Sequence, residues 1–103
     1  MDVELDGLKA TTLEGFHSEM ARLLDFGPYY GNNFSALWDR LSTDVERPVR
    51  LTWTNARTSR DGIGAADFTA LVRILRRAEQ QDRDFGLVHR LEVTIQDWSP
   101  GPA

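Results

Sequence analysis

The sequence predicts an α/β protein, a small three-stranded parallel sheet packed with helices in the order βααβαβ. Three observations carry this reading. Three short segments alternate apolar and polar residues, two longer ones repeat apolar residues at helical spacing, and the two kinds interleave along the chain. Crossovers between neighbouring parallel strands are right-handed, which puts the helices on one face of the sheet.

Val3 and Leu5 alternate with Asp2, Glu4 and Asp6 before Gly7, the pattern of a first strand with one buried side. Thr11 and Glu14 then stand at capping-box spacing. Leu13, Phe16, Met20, Leu23 and Leu24 recur on one helical face until Gly27 supplies a stop, so a first helix is expected over residues 12–25. Pro28 and Gly31 punctuate the chain, and Asn32 or Asn33 can cap a second helix running to Leu41 or Ser42. After Pro48, the alternation of Val49, Leu51 and Trp53 with Arg50, Thr52 and Thr54 marks the second strand.

Residues 55–64, NARTSRDGIG, lack apolar periodicity and hold several turn formers, so they read as a loop with at most a brief helical turn. Phe68, Leu71, Val72, Leu75 and Ala78 mark a last long helix, and Leu91, Val93 and Ile95 alternate as the third strand. Residues 82–90 carry the least pattern. Residues 1–98 read as one domain, and residues 99–103, SPGPA, as a disordered tail.

Composition excludes several classes of function. The chain of 103 residues has no cysteine, which removes disulfides, zinc–thiolate sites and thiol catalysis. Its N-terminus is acidic where a signal peptide is basic and then apolar, and no apolar run approaches a membrane span, so a cytoplasmic protein without membrane contact is expected. The net charge of −4 is uneven: residues 1–46 hold nine acids and three bases, residues 47–103 seven acids and nine bases. An acidic half repels nucleic acid and draws basic partners at rates that fall with salt.

The motifs of catalysis are missing: no phosphate loop, serine elbow, HExxH or clustered metal ligands. No catalytic residue, metal or cofactor is expected, and the chain does not read as an enzyme. His17, beside Phe16 and Met20, reads as a core-edge residue, and His89 has no identifiable partner. Asp82 and Asp84 read as a solvated helix end rather than an acid/base pair. Arg73, Arg76 and Arg77 share one side of the last helix, the smallest footprint for phosphate contact, but overall acidity favours a solvated face.

The stretch from Pro28 to Leu41, PYYGNNFSALWDRL, is the richest in information. On a helical wheel Phe34, Leu37 and Leu41 point inward, Trp38 lies at the border, and Ser35, Asp39 and Ser42 lie on the adjoining polar side. The aromatic residues could simply close one end of the core. A rim of Tyr and Trp around a carboxylate is also the composition of a protein-binding hot spot.

These residues, with Val45-Glu46, Pro48 and the strand ending at Trp53, resemble the barstar family of intracellular ribonuclease inhibitors over residues 28–53. The resemblance implies a three-stranded parallel sheet with helices, in agreement with the order read from periodicity. It implies that the second helix and the loop before it cover a nuclease active site, with Asp39 standing in for a substrate phosphate. Tyr29 and Trp38 would pack around Asp39 and exclude water, Gly31 would allow close backbone approach, Asn33 would cap and contact, and Glu46 would be a peripheral acid. The implied partner surface comprises Tyr29, Tyr30, Gly31, Asn33, Phe34, Ser35, Trp38, Asp39, Ser42, Asp44, Glu46 and Arg77.

Two residues depart from the family pattern. Ser35 stands where a second acid is expected one turn before Asp39, and an arginine, Arg77 or Arg76 depending on alignment, replaces a glutamate of the last helix. The implied partner is a small, extracellular-type, guanyl-preferring ribonuclease, barnase-like or related, bound one-to-one by a chain that is monomeric when free. The alternatives are a module of the same fold serving as immunity protein for another toxin or partner, and an RNA-binding regulatory module built on the last-helix arginines.

Overall fold

A computed structural model describes residues 1–100. Its elements are β1 (Asp2–Asp6), α1 (Leu13–Leu24), α2 (Phe34–Asp39), β2 (Val49–Thr54), α3 (Ala56–Ile63), α4 (Ala65–Asp84) and β3 (Leu91–Ile95). The strands form one parallel sheet with β2 in the middle. Val3, Leu51 and Val93 align across the sheet, as do Leu5, Trp53 and Ile95, so one face is apolar. The opposite face carries the rows Asp2–Arg50–Glu92 and Glu4–Thr52–Thr94. The alternation read in the sequence is therefore the difference between a covered and a wet side.

Trp53 is the centre of the core and fully buried. Its ring lies 5.2 Å from Phe16 of α1 and 5.1 Å from Phe68 of α4, centroid to centroid, so each long helix lays one aromatic against it. Trp98 closes the stack edge-on to Phe68 at 5.0 Å.

Several local expectations are corrected. Within residues 55–64, Ala56–Ile63 form α3 rather than a loop, giving four α-helices among the described residues. The face α3 buries consists of Ala56 and Ser59, too small and polar to register as apolar periodicity. A Cβ on Gly62 would stand 2.3 Å from the Thr11 carbonyl oxygen, so glycine is what lets α3 lie against that backbone. The N-cap of α1 is Thr12, not Thr11; its hydroxyl accepts from the Gly15 amide at 2.9 Å. Asp25, in the left-handed region at φ 55°, ends α1 two residues before Gly27. After α2 the chain continues through a wide turn of π-helical pitch, Arg40–Asp44, beyond the expected end at Ser42. The peptide bond between Arg47 and Pro48 is cis. Ser99 and Pro100 follow β3 without regular structure, and residues 101–103 of the expected tail lie outside the described residues.

Asp82 also differs from expectation. It is 2% exposed, whereas its neighbour Asp84 is exposed. Asp82 Oδ2 accepts from the Leu91 amide at 2.8 Å, and Glu79 Oε2, three residues earlier on α4, accepts from the Val93 amide at 2.6 Å. Arg76 donates to the Val93 carbonyl at 2.7 Å. Residues 90 and 96 bond to β2, so Leu91 and Val93 direct their backbone groups to the outer edge of the sheet. Side chains of α4 thus satisfy an edge that would otherwise need a strand or water.

Candidate partner-binding face

The face is built on α2 and its flanks. Asn33 Oδ1 accepts from the Ala36 amide at 2.7 Å and Nδ2 donates to the Gly31 carbonyl at 3.3 Å, so of the two candidate caps it is Asn33 that starts α2. Asn32, at φ 52°, makes the preceding bend. Leu37 and Leu41 are fully buried and anchor the helix, while Phe34 is partly buried against the core. Ser35 and Asp39 are exposed and Ser42 half-buried, as the helical wheel implied.

The two tyrosines separate. Tyr29 is 89% exposed. Tyr30 turns inward, its ring 4.7 Å from Phe26 and 5.6 Å from His17, and its hydroxyl shares a 2.6 Å hydrogen bond with His17 Nδ1. Burial pushes the Tyr30 hydroxyl up to about 12, only partly opposed by Arg40, and burial pushes the His17 imidazole below its ordinary value. Both groups are therefore neutral near pH 7, and His17 takes the core-edge place expected of it. This pair ties the aromatic loop to α1. Beside it, a cleft of about 330 Å³ opens between Leu13, Glu14, His17, Asn32, Asn33 and Phe34.

The acids differ in what they touch. Asp44 is paired with Arg40 at 2.7 Å, one turn back. Asp39 and Glu46 are exposed, and among the described residues neither carboxylate has a hydrogen-bonding or ionic partner. The Asp39 backbone is nonetheless fixed, because its carbonyl accepts from the Thr43 and Ser42 hydroxyls of the wide turn. A rigidly mounted carboxylate with no internal partner is an acceptor available to an external donor.

Helix α4 reaches the same face. The Arg77 guanidinium lies 4.1 Å from the centre of the half-buried Trp38 ring. Trp38, Arg77, Gln80, Gln81, Asp84 and Phe85 enclose a shallow cleft of about 270 Å³, with Phe85 70% exposed. Of the two arginines that could replace the family's glutamate, it is thus Arg77 that borders Trp38. Arg76 is committed to Glu79 and Val93, and so does not share a free phosphate-binding footprint with Arg73 and Arg77.

Sequence reasoning missed Arg47. Its side chain is largely buried: Nε and Nη2 donate to Asp82 at 2.8 and 3.2 Å, Nη1 to the Val45 carbonyl at 2.7 Å, and Nη2 to the Leu41 carbonyl at 2.6 Å. Nothing in the local sequence marks an arginine whose carboxylate partner lies 35 residues away. Burial alone would raise the Asp82 carboxyl, but hydrogen bonds from Arg47 and the Leu91 amide, with the charges of Arg47 and Arg90, hold it below its ordinary value.

Comparison with known proteins places this geometry in a family. The family model described as "Barstar (barnase inhibitor)" matches residues 1–94. The chain belongs to the barstar family. A protein of Bacillus subtilis (strain 168) named "Putative ribonuclease inhibitor YrdF" is 32% identical over 81 residues, covering 78% of this chain and 87% of that protein. The family match extends well beyond residues 28–53, where the resemblance was read, and takes in α1, α4 and most of β3. Among the described residues there is no group of three or more His, Cys, Asp or Glu placed to hold a metal ion, and no helix long and apolar enough to cross a membrane.

Proposed function

We propose that this barstar-family protein is an intracellular inhibitor of a small microbial ribonuclease, and not itself an enzyme. The observation that carries the reading is Asp39: an exposed carboxylate without an internal partner at the end of α2, next in sequence to the half-buried Trp38, with the exposed Tyr29 in the loop before the helix. In the complex α2 and the loop before it cover the nuclease active site, and Asp39 takes the place of a substrate phosphate among the enzyme's basic groups. Each charge-assisted hydrogen bond it accepts is strengthened because the surrounding aromatic residues exclude water. Glu46, at the edge, adds long-range attraction that speeds encounter. The complex is one-to-one and of ordinary size, about 1,600 Å².

The test is a titration of RNA cleavage by a panel of guanyl-preferring microbial ribonucleases, with wild type and Asp39→Ala side by side. Asp39→Ala is expected to weaken inhibition by at least a hundredfold, or about 3 kcal/mol, in a range for which barnase and barstar are themselves the reference pair. Glu46→Ala should mainly lower the association rate and its salt dependence. Equal small effects of the two substitutions would refute this division of roles.

A second reading, an immunity or interaction module for a different toxin, draws support from two features that lower the acidity of the face. Arg77 brings a cation to Trp38, and Arg40 neutralises Asp44. Repulsion of a basic nuclease surface by Arg77 would set specificity. Failure to inhibit any member of the panel would favour this second reading.

A further inference from the structure

We propose that Arg47 is the positioning residue of the acidic face, a clamp that fixes the segment carrying Asp39, Asp44 and Glu46 to the α4–β3 junction through Asp82. The functional half of this inference rests on the inhibitory reading of Asp39; the structural half does not. The Arg47 guanidinium makes four hydrogen bonds at once, two to the buried Asp82 carboxylate and one each to the carbonyls of Leu41 and Val45. Leu41 lies two residues beyond Asp39, and Val45 sits between Asp44 and Glu46.

The wide turn needs such a clamp. Its last carbonyls have no further helical turn to donate to them, and the chain leaves it in an extended conformation at Val45, φ −80° and ψ 124°. Arg47 supplies a donor to one of them, the Leu41 carbonyl, and a second to the Val45 carbonyl just beyond the turn. The planar fork of arginine can address a carboxylate and two carbonyls from one fixed plane, which a lysine ammonium cannot reproduce with the same geometry. Asp82 is in turn held by the Leu91 amide, so the clamp ends on the edge strand of the sheet rather than on a mobile side chain. The face is thereby referred to the rigid part of the molecule at its C-terminal end, as the His17–Tyr30 bond refers it at the N-terminal end.

Hydrogen exchange of the free, full-length protein tests the structural half with Arg47→Lys and Arg47→Met. Lysine keeps a charge opposite Asp82 and so guards against loss of the fold. Both variants are expected to speed exchange in residues 40–46 by about tenfold or more, while β1 and β2 keep their protection. Unchanged exchange in residues 40–46, or equal loosening of the whole chain, overturns the proposal whether or not a target enzyme is found.

The functional half is read with the most sensitive ribonuclease of the panel. Arg47→Lys should weaken inhibition by about tenfold in the wild-type background and by less than about threefold when combined with Asp39→Ala, because a misplaced carboxylate matters only where there is a carboxylate. Equal losses in both backgrounds would overturn the positioning role. Absence of inhibition by wild type would overturn the inhibitory reading alone, and exchange would still decide the clamp.

Discussion

Ser59→Ala isolates what α3 contributes to the core. The Ser59 hydroxyl is fully buried; it accepts from Trp53 Nε1 at 3.0 Å and donates to the Gly7 carbonyl at 3.0 Å, linking α3, β2 and the turn after β1. Removing it leaves the indole N–H without a partner in the centre of the protein, a loss of about 1–3 kcal/mol. Gly7 keeps a second donor, the Ala10 amide at 3.3 Å, so its carbonyl adds little. The better helix propensity of alanine returns about half a kcal/mol. The net expectation is about 1.5 kcal/mol, or a fall of about 6–12 °C in melting temperature. Urea unfolding followed by far-ultraviolet circular dichroism measures it, with unchanged m value. In a Trp53→Phe background there is no indole N–H to strand, so the same substitution should be nearly neutral there. A wild-type midpoint for Ser59→Ala, or an equal loss in both backgrounds, would refute this account.

Gly62→Ala ought to stabilise a helix by about 1 kcal/mol on propensity alone. Here the Cβ would stand 2.3 Å from the Thr11 carbonyl oxygen, and the backbone shift required should reverse the sign and destabilise by about 1–3 kcal/mol in the same urea assay. Stability should also depend on pH at both ends through the His17–Tyr30 pair. His17 is depressed below 6.5 in the fold, so its share is present above that pH and lost on acidification, as the unfolded chain takes up the proton first. Tyr30 is raised from 10.0 to about 12, so its share is present below pH 10 and lost as the pH rises through that interval. His17→Gln should flatten the acid limb and Tyr30→Phe the alkaline one, in melting temperatures measured against pH. Arg77→Ala should cost the free protein only about 0.5–1 kcal/mol, the worth of an exposed cation–π contact, while changing which ribonucleases are inhibited.

What the sequence revealed and what it hid follow from the range of the interactions concerned. α1, α4 and the three strands were legible because each is specified by neighbours in sequence: a cap, a periodic apolar face, an alternation. Trp38 and Asp39 were placed correctly relative to α2 for the same reason, while the cap was narrowed to Asn32 or Asn33 and the fold selects Asn33. α3 was hidden because Ala56 and Ser59 bury a face without apolar bulk. Asp82 looked solvated because its partners, Arg47 and the Leu91 amide, are brought to it only by the fold. The two tyrosines are equivalent in sequence, and the positions of His17 on α1 and of Phe26 just after it separate the anchored ring from the exposed one.

The polar side chains of α4 along β3 bear on how this protein avoids sticking to itself. A parallel sheet of three strands has two free borders, each a template on which another chain could build. On the β3 side Asp82 already occupies the Leu91 amide, and Glu79 and Arg76 occupy the amide and carbonyl of Val93. The β1 side is defended instead by the charges of Asp2, Glu4 and Asp6. The two defences respond differently to salt: the exposed charges of β1 are screened, while the buried carboxylates of Glu79 and Asp82 keep their bonds to β3 until the fold itself gives way. Aggregates formed at high salt should therefore grow from the N-terminal strand, and Glu4→Val should hasten them.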